Sequence, residues 1–304
     1  MLLSICIPCY KRASEVRNTL KSIYIDNSEI PLDAYEVVIS DNDPEAEIRS
    51  VVAEFPYPNL KYYKTTCEGF MNSYYALTYG KGEFLKLHNS QSQFRTGAIK
   101  TLIGDIEKAY KSKGHIFYTN GMLNRNQTLE FDNYDSFMST LSYWSSWSNG
   151  FCIWKEQFER IQNIKLNKLF PHTSLFLAQS QVSQYIINDI PLFDIQRIPK
   201  RGGHNKFAAF SLEYPSLIDE QWRNERINKH TKDIIFRGLM VEMLPTLIFN
   251  KYIARIECFE SYGYYQNIKR YFPWYAYWLS YILSPFVPIK KIYNRILKWQ
   301  FLSH

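Results

Sequence analysis

Short apolar runs alternate with amphipathic segments at the start of the chain. Four runs have the length and apolar character of strands buried in a parallel sheet: residues 3–7, 36–40, 60–63 and 84–87. Apolar residues recur at helical spacing after Ser14, which we expect to cap a helix, and over residues 72–79 and 99–110. We therefore predict an α/β fold with a mostly parallel, twisted sheet flanked by helices.

Polar segments follow three of the predicted strands. In open sheets of this kind, ligands bind outside the carboxyl ends of the strands. Residues 8–12, 41–43 and 89–93 each come directly after a strand. We expect these three segments to lie along one rim of the sheet, and we take that rim as the candidate site.

Two of the rim segments carry recognisable motifs. Residues 4–12 read SICIPCYKR, and residues 37–43 read VVISDND. The first resembles the SIxIPxYNR opening of the family 2 glycosyltransferases of the GT-A type, and the second resembles the second strand of that family with its acidic end. Residues 68–84 and 96–98 are similar to the helix before the metal-binding strand and to the PGAL segment after it. The resemblance covers residues 3–102 and implies a GT-A fold with a Rossmann-like nucleotide-binding half and a nucleotide-diphosphate sugar as donor.

The metal-binding segment of that family is altered in this chain. Residues 82–93 read GEFLKLHNSQSQ, similar to a GEYxxxLDxDD segment, with Asn89 and Gln91 at the aspartate positions. Amides keep the shape of aspartate but bring no charge, and cations such as Mg²⁺ or Mn²⁺ prefer carboxylates. We therefore expect no metal cofactor, with Asp41 or Asp43 as the alternative ligands of a divalent cation.

A metal-independent enzyme needs another positive charge beside the departing diphosphate. Residues 197–210 read RIPKRGGHNKFAAF, in which cationic groups surround a Gly–Gly hinge. We predict that Arg201 has the catalytic role of pairing with phosphate oxygens, and that His204 and Lys206 lie beside it on a closing loop. A solvated basic loop is the alternative interpretation.

The resemblance also implies where the nucleotide binds. Asp41 corresponds to the acidic residue that accepts a hydrogen bond from the base or ribose, although a turn or a helix cap explains it as well. The other implied contacts form two walls: Pro8, Tyr10 and Arg12 on one, and Glu68, Gly69 and Asn72 on the other.

The catalytic base is sought where inverting members of the family have a carboxylate, after a Gly-containing strand and a helix. Residues 149–158 fit that strand and helix, and the expected position then falls on Pro-His-Thr at residues 171–173. Imidazole has an ordinary pKa of about 6.5, which suits proton transfer near neutral pH. His172 is therefore the candidate base, preceding a helix predicted over residues 174–187. A capping or core histidine is the alternative, with three acids in reserve: Asp132, Asp135 and Asp194.

Aromatic and small polar residues interleave over residues 133–151. Ring faces beside hydroxyl and amide groups are what a sugar-binding surface requires, because pyranose C–H faces pack on rings while the hydroxyls need hydrogen bonds. We expect Trp144 or Trp147 to face the acceptor, and core packing explains the same residues equally well.

The last part of the chain is basic and aromatic. Residues 261–304 contain six Lys or Arg and no Asp or Glu, and the run 272–289 is uncharged, rich in Trp and Tyr and interrupted by three prolines. A spanning helix needs about 20 apolar residues without such breaks. We predict an interfacial element that meets anionic lipid, with packing or a dimer contact as the alternative.

Length, charge and cysteines complete the prediction. We divide the 304 residues into a GT-A domain, 1–215, and a helical C-terminal region, 216–304. The formal charge of +7 lies mostly in that region and outside any nucleic-acid motif, which argues against nucleic-acid binding. Five scattered cysteines and the lack of a signal-peptide pattern favour reduced thiols and a cytoplasmic protein, peripheral at the inner face of the membrane.

The sequence thus predicts an inverting, metal-independent glycosyltransferase that acts on a glycan or lipid-linked oligosaccharide in bacterial capsule, O-antigen or related polysaccharide synthesis. The principal alternative is a catalytically silent member that binds nucleotide or glycan and supports a partner transferase. A glycan-binding protein that ignores nucleotides is the further alternative.

Overall fold

The computed structural model describes residues 1–161, 163–196, 198 and 202–289. The chain divides into two compact units. The first unit comprises Met1–Phe137 and Trp144–Gln196, and the second comprises Met138–Tyr143 and the chain from Arg197 onward. The functional division predicted at residue 215 remains a prediction.

The strands of the described chain all belong to the first unit. They are β1 Leu3–Cys9, β2 Tyr35–Asp41, β3 Leu60–Lys64, β4 Phe84–Leu87, β5 Ser92–Phe94, β6 His115–Tyr118, β7 Thr128–Phe131, β8 Cys152–Trp154, β9 Tyr185–Asn188 and β10 Phe193–Ile195. The main sheet has the order β3-β2-β1-β4-β8, in which β8 is antiparallel to β4 and the other pairs are parallel. Two smaller sheets have the orders β10-β5 and β6-β9-β7.

Six helices of the described chain lie wholly within the first unit. They are α1 Ala13–Tyr24, α2 Arg49–Ala53, α3 Asn72–Tyr79, α4 Ala98–Ala109, α6 Lys155–Ile161 and α7 Pro171–Leu177. Helix α5, Tyr134–Leu141, passes from the first unit into the second. The apolar faces of α1 and α4 pack with β1 and β2 in one core, as the helical spacing of residues such as Leu20 and Leu102 predicts.

The second unit is mostly helical in its described part. Its helices are α8 Lys206–Ala208, α9 Tyr214–Arg223, α10 Lys229–Gly238, α11 Leu244–Ile248, α12 Tyr264–Ile268 and α13 Ala276–Leu283. Three π-helical turns connect several of them: Ala209–Glu213, Leu239–Met243 and Phe249–Ile253. Over the residues that the structure describes, we find no helix with the length and apolar character needed to cross a membrane.

The predicted α/β architecture is confirmed, and two local predictions are wrong. Ser14 does not cap α1, which begins at Ala13 after Arg12 in the left-handed conformation, without a side-chain cap. The helix predicted over residues 174–187 ends at Leu177, and residues 185–188 form β9 instead. Strand β9 pairs with both β6 and β7, so tertiary pairing outweighs the local helical pattern.

Candidate active site

The carboxyl ends of β1, β2 and β4 lie side by side because these strands are neighbours in the main sheet. The backbone N–H of Asn42 donates to Cys9 O at 3.2 Å, and the N–H of His88 donates to Cys6 O at 2.8 Å. These bonds tie the residues that directly follow β2 and β4 to β1. The structure therefore brings residues 8–12, 41–43 and 89–91 together along one rim.

Asn72 links the ends of the two strands β1 and β2 at this rim. Its Nδ2 donates to Cys9 O at 3.0 Å, to Ser40 O at 2.8 Å and to Asn42 Oδ1 at 3.0 Å, while its Oδ1 accepts from Ser40 Oγ at 2.6 Å. The side chain is nearly fully buried. Both polar atoms of the side chain are hydrogen-bonded within the protein, so Asn72 holds the ends of β1 and β2 in place.

Asp41 and Asp43 are completely buried. Asp41 Oδ1 accepts from the N–H of Asp43 at 2.9 Å, and its Oδ2 accepts from the Tyr62 hydroxyl at 2.8 Å. Asp43 Oδ2 accepts from the N–H of Glu47 at 3.3 Å, and Asp43 Oδ1 has no partner among the described residues. A ligand reaches either carboxylate only if the side chains that cover it move.

The exposed walls of the rim come from two loops. Tyr10 is 54% exposed beside the half-buried Pro8. Glu68 and Gly69 are exposed on the opposite loop, where a Cβ on Gly69 would meet nothing within 4 Å. Asn42 Nδ2 donates to Gly69 O at 3.3 Å, which ties this loop to the end of β2. Four of the residues predicted for the two walls are thus accessible on these loops, whereas Asn72 is buried beneath them, and their contact with a nucleotide stays a prediction.

Arg12 and Gln91 meet across the rim. Arg12 Nη1 donates to Gln91 Oε1 at 3.1 Å. Gln91 is buried and Arg12 is half-buried. Lys11 and Arg12 both have left-handed backbones, with φ of 58° and 69°. Two successive residues of this kind cost about 1–3 kcal/mol each and persist only where the surroundings fix them.

Asn89 is held by the segment 146–149. Its N–H donates to Asn149 Oδ1 at 2.7 Å, and its Oδ1 accepts from Ser148 Oγ at 2.9 Å. The same segment binds the candidate base, because His172 Nε2 lies 2.9 Å from Ser146 O. One stretch of four residues therefore positions both Asn89 and His172.

The hydrogen bond of His172 fixes its tautomer. A carbonyl oxygen only accepts, so Nε2 carries the hydrogen and Nδ1 is the basic nitrogen. Burial lowers the pKa of His172 to about 4 from its ordinary value. The ring is therefore neutral at physiological pH, and it can accept a proton as a weak base.

Lys86 is a charged residue that the sequence offers only as a weaker candidate for the cation beside the diphosphate. It lies on β4, is completely buried, and its Nζ donates to Leu87 O at 2.7 Å and also to Asn149 O. Burial lowers the pKa of Lys86 to about 8. Because Asn149 also binds Asn89, the ammonium group supports the floor of the rim. The sequence signal for this supporting role is a lysine inside an otherwise apolar strand.

Three further predicted residues belong to the second unit or lie outside the described chain. Arg201 lies outside the described residues. In the second unit, Lys206 Nζ is 3.2 Å from Glu257 Oε1, and the His204 ring packs edge-on against Phe259 at 4.8 Å. Their predicted place beside the diphosphate stays a prediction.

The three reserve acids and the two tryptophans are all exposed or half-buried. Asp194 is exposed and pairs with Arg95 at 2.7 Å. Asp132 is exposed and Asp135 is half-buried at the start of α5. Trp144 and Trp147 are half-buried and pack edge-to-face at 6.5 Å. Trp147 also packs against the core of the first unit.

The donor atoms of Asn89 and Gln91 do not suit a divalent cation. The amide oxygen of Gln91 accepts from a guanidinium, and that of Asn89 accepts from a hydroxyl, so neither presents a free anionic ligand. Elsewhere in the part of the chain that the structure describes, no three His, Cys, Asp or Glu side chains converge as metal ligands.

Sequence comparison identifies the family. The profile of "Glycosyl transferase family 2" matches residues 4–175, which is more than half of the chain. The chain belongs to glycosyl transferase family 2. This glycosyltransferase has no match among curated protein sequences.

Structural comparison confirms the fold of this family 2 glycosyltransferase. TarS 1-349 of S. aureus in complex with UDP-GlcNAc is similar with a TM-score of 0.62 and 14% identity, over 100% of this chain and 92% of that one. The mannosyltransferase PcManGT of Pyrobaculum calidifontis, in complex with GDP-Man and Mn²⁺, is similar with a TM-score of 0.54 and 14% identity, over 96% and 86%. The predicted GT-A fold is thereby confirmed, and the family match confirms the glycosyltransferase class.

Proposed function

We propose that this glycosyltransferase moves a sugar from a nucleotide-diphosphate donor to a glycan acceptor by a single inverting displacement, without a divalent metal. The observation on which this rests is the state of Asn89 and Gln91, whose amide oxygens accept hydrogen bonds from Ser148 and Arg12. The complexes of the two similar proteins with UDP-GlcNAc and GDP-Man support the donor class.

The rim supplies two functions to the reaction. Tyr10 on one wall and Glu68 on the other enclose the base and ribose, while the rim around Asn89 and Gln91 receives the diphosphate. The acceptor hydroxyl attacks the anomeric carbon from the face opposite the diphosphate. A new carbon–oxygen bond forms, the bond to the phosphate oxygen breaks, and the nucleoside diphosphate leaves with the electron pair.

His172 is the proposed acceptor of the hydroxyl proton. Its Nδ1 is the basic nitrogen because Nε2 is committed to Ser146 O. The lowered pKa makes it a weaker base than ordinary histidine, so it takes the proton late, as the hydroxyl becomes acidic during attack. Trp144 or Trp147 provides the ring face for the acceptor sugar.

The acceptor is proposed to be a lipid-linked glycan of bacterial surface polysaccharide synthesis, such as capsule or O-antigen. Four large apolar side chains recur every four residues along and on both sides of α13 and are more than half exposed: Trp274, Trp278, Ile282 and Phe286, with exposures of 76%, 58%, 63% and 58%. The surrounding sequence is basic, since residues 261–304 lack acids. This pattern suits an anionic membrane surface and supports a peripheral position at the inner face.

Calorimetric titration with UDP, GDP, CDP and dTDP, each with Mn²⁺ and again with EDTA, tests the proposal. We expect tight binding of one nucleotide that EDTA does not weaken, and turnover of the corresponding donor sugar. Binding that requires Mn²⁺ would contradict metal independence. Binding without turnover of any donor sugar would favour the catalytically silent alternative.

A further inference from the structure

We propose that Arg12 is the cation that binds the donor diphosphate, and that residue 91 is a glutamine because it must hold this guanidinium without neutralising it. The inference rests on the proposed function and names the group that replaces the metal. It differs from the sequence prediction, which gave the phosphate to Arg201.

Gln91 is a fixed anchor for the guanidinium. Its backbone O accepts from the N–H of Gln196 at 2.9 Å, and its neighbours Ser90 and Ser92 each accept through their backbone O from Thr19 Oγ1, at 2.9 and 3.0 Å. Thr19 lies on α1, the helix that follows Arg12 directly. The donor and acceptor ends of the Arg12–Gln91 bond are thus held by the same helix.

The guanidinium has donors to spare. Its hydrogen bond to Gln91 uses one of five N–H groups, and the side chain is half-buried rather than enclosed. Parallel N–H donors match two phosphate oxygens, which makes Arg well suited to a diphosphate. Lys11 is on the same loop, 4.0 Å from the exposed Glu45, so its charge is partly compensated at the surface.

The identity of residue 91 decides the charge of the pair. An amide accepts a hydrogen bond and leaves the net charge of Arg12 at +1. An aspartate at the same position would pair with the guanidinium, cancel most of its field and compete with the phosphate oxygens. Gln91 and Arg12 therefore act together. The guanidinium of Arg12 supplies the positive charge, and the neutral amide of Gln91 holds it in place.

Four variants test this inference: Arg12→Gln, Arg12→Lys, Gln91→Asp and Arg17→Gln. The last is the control, since Arg17 lies on α1, close to Arg12 in sequence, but pairs with the exposed Glu54 at 2.6 Å. Each variant is titrated in EDTA with the nucleoside diphosphate that the wild type binds and with the corresponding monophosphate, and Gln91→Asp is titrated again in Mn²⁺. Thermal unfolding shows whether each variant is folded.

For Arg12→Gln we expect the affinity for the diphosphate to fall by about tenfold more than that for the monophosphate, with Arg12→Lys between it and the wild type. Gln91→Asp should also weaken diphosphate binding, without recovery in Mn²⁺. Arg17→Gln should bind as the wild type does.

Equal losses for both nucleotides in Arg12→Gln would overturn the inference while leaving the proposed function intact. A gain of Mn²⁺-dependent affinity in Gln91→Asp would also overturn it, because the aspartate would then be free to bind metal. A wild type that binds none of the four nucleoside diphosphates would overturn the proposed function itself.

Discussion

Ser40 and Asn72 hydrogen-bond to each other in both directions. The Ser40 hydroxyl donates to Asn72 Oδ1 at 2.6 Å, and Asn72 Nδ2 donates to Ser40 O at 2.8 Å. The same amide reaches Cys9 O on β1. One side chain thus joins the ends of two central strands, and the shape of the rim depends on it.

Asn72→Ala should weaken both the fold and the site. The variant leaves Ser40 Oγ and several carbonyl groups without their buried partner, at a cost of about 1–3 kcal/mol in the free energy of unfolding. Nucleotide affinity should fall as the strand ends separate. Denaturant titration and calorimetry measure the two effects. Asn59→Ala is the control, because Asn59 donates to Tyr35 O at the opposite end of β2, and it should lose stability alone.

His115→Phe should reduce the acid sensitivity of the fold. His115 is buried among aromatic rings, neither ring nitrogen has a partner among the described residues, and burial lowers its pKa to about 3. Below about pH 6.5 the unfolded chain therefore binds a proton at His115, whereas the folded chain does not. The free energy of unfolding falls as the pH falls from 6.5 towards 3.

The size of this effect can be measured. Between pH 7.5 and pH 5, the wild type should lose about 2 kcal/mol more of its free energy of unfolding than His115→Phe does. Denaturant titrations at the two pH values give the comparison. Parallel losses in both proteins would show that His115 does not contribute to the acid sensitivity.

Lys86→Met should change the alkaline behaviour. Burial lowers the pKa of Lys86 to about 8, against an ordinary value of about 10.4 in the unfolded chain. Between these values the unfolded chain binds more protons, so the wild type gains stability as pH rises. Its free energy of unfolding relative to Lys86→Met should increase by about 2 kcal/mol between pH 7 and pH 10. A constant difference would mean that the ammonium is not desolvated.

His172→Gln separates catalysis from structure. The Gln amide can still donate to Ser146 O but offers no basic nitrogen, so nucleotide affinity should be retained while kcat falls by about 10²–10⁴-fold. Because the pKa is about 4, the wild-type kcat should stay level from pH 7 down to about pH 5. An acid limb near pH 6.5, or full activity in the variant, would remove His172 from the base position.

A Trp274→Ser/Trp278→Ser double variant tests the membrane surface. Both rings are more than half exposed, and interfacial tryptophans stabilise binding at headgroup depth. In vesicle sedimentation the variant should lose at least about tenfold in affinity for anionic vesicles. Ile25→Ser is the matched control, since Ile25 on the first unit is 58% exposed, as is Trp278. Equal binding by variant and wild type would place the contact elsewhere.

The sequence predicts the main sheet well because each strand of 3–7, 36–40, 60–63 and 84–87 is a short apolar run between helices. It fails at β9, whose residues 185–188 become a strand only because β6 and β7 lie on either side. The Arg12–Gln91 bond joins residues 79 apart in sequence, and no local pattern reveals it. The family motifs locate the rim, but the partners of each side chain depend on the folded chain.

The four residues 146–149 have a consequence for redesign. They bind both Asn89 and His172, so the spacing between the rim and the proposed base depends on this one segment. A search for a new donor specificity should therefore leave residues 146–149 unchanged and diversify the exposed side chains of Tyr10 and Glu68. On the proposed function, such variation alters the accommodated donor while the proposed base keeps its position.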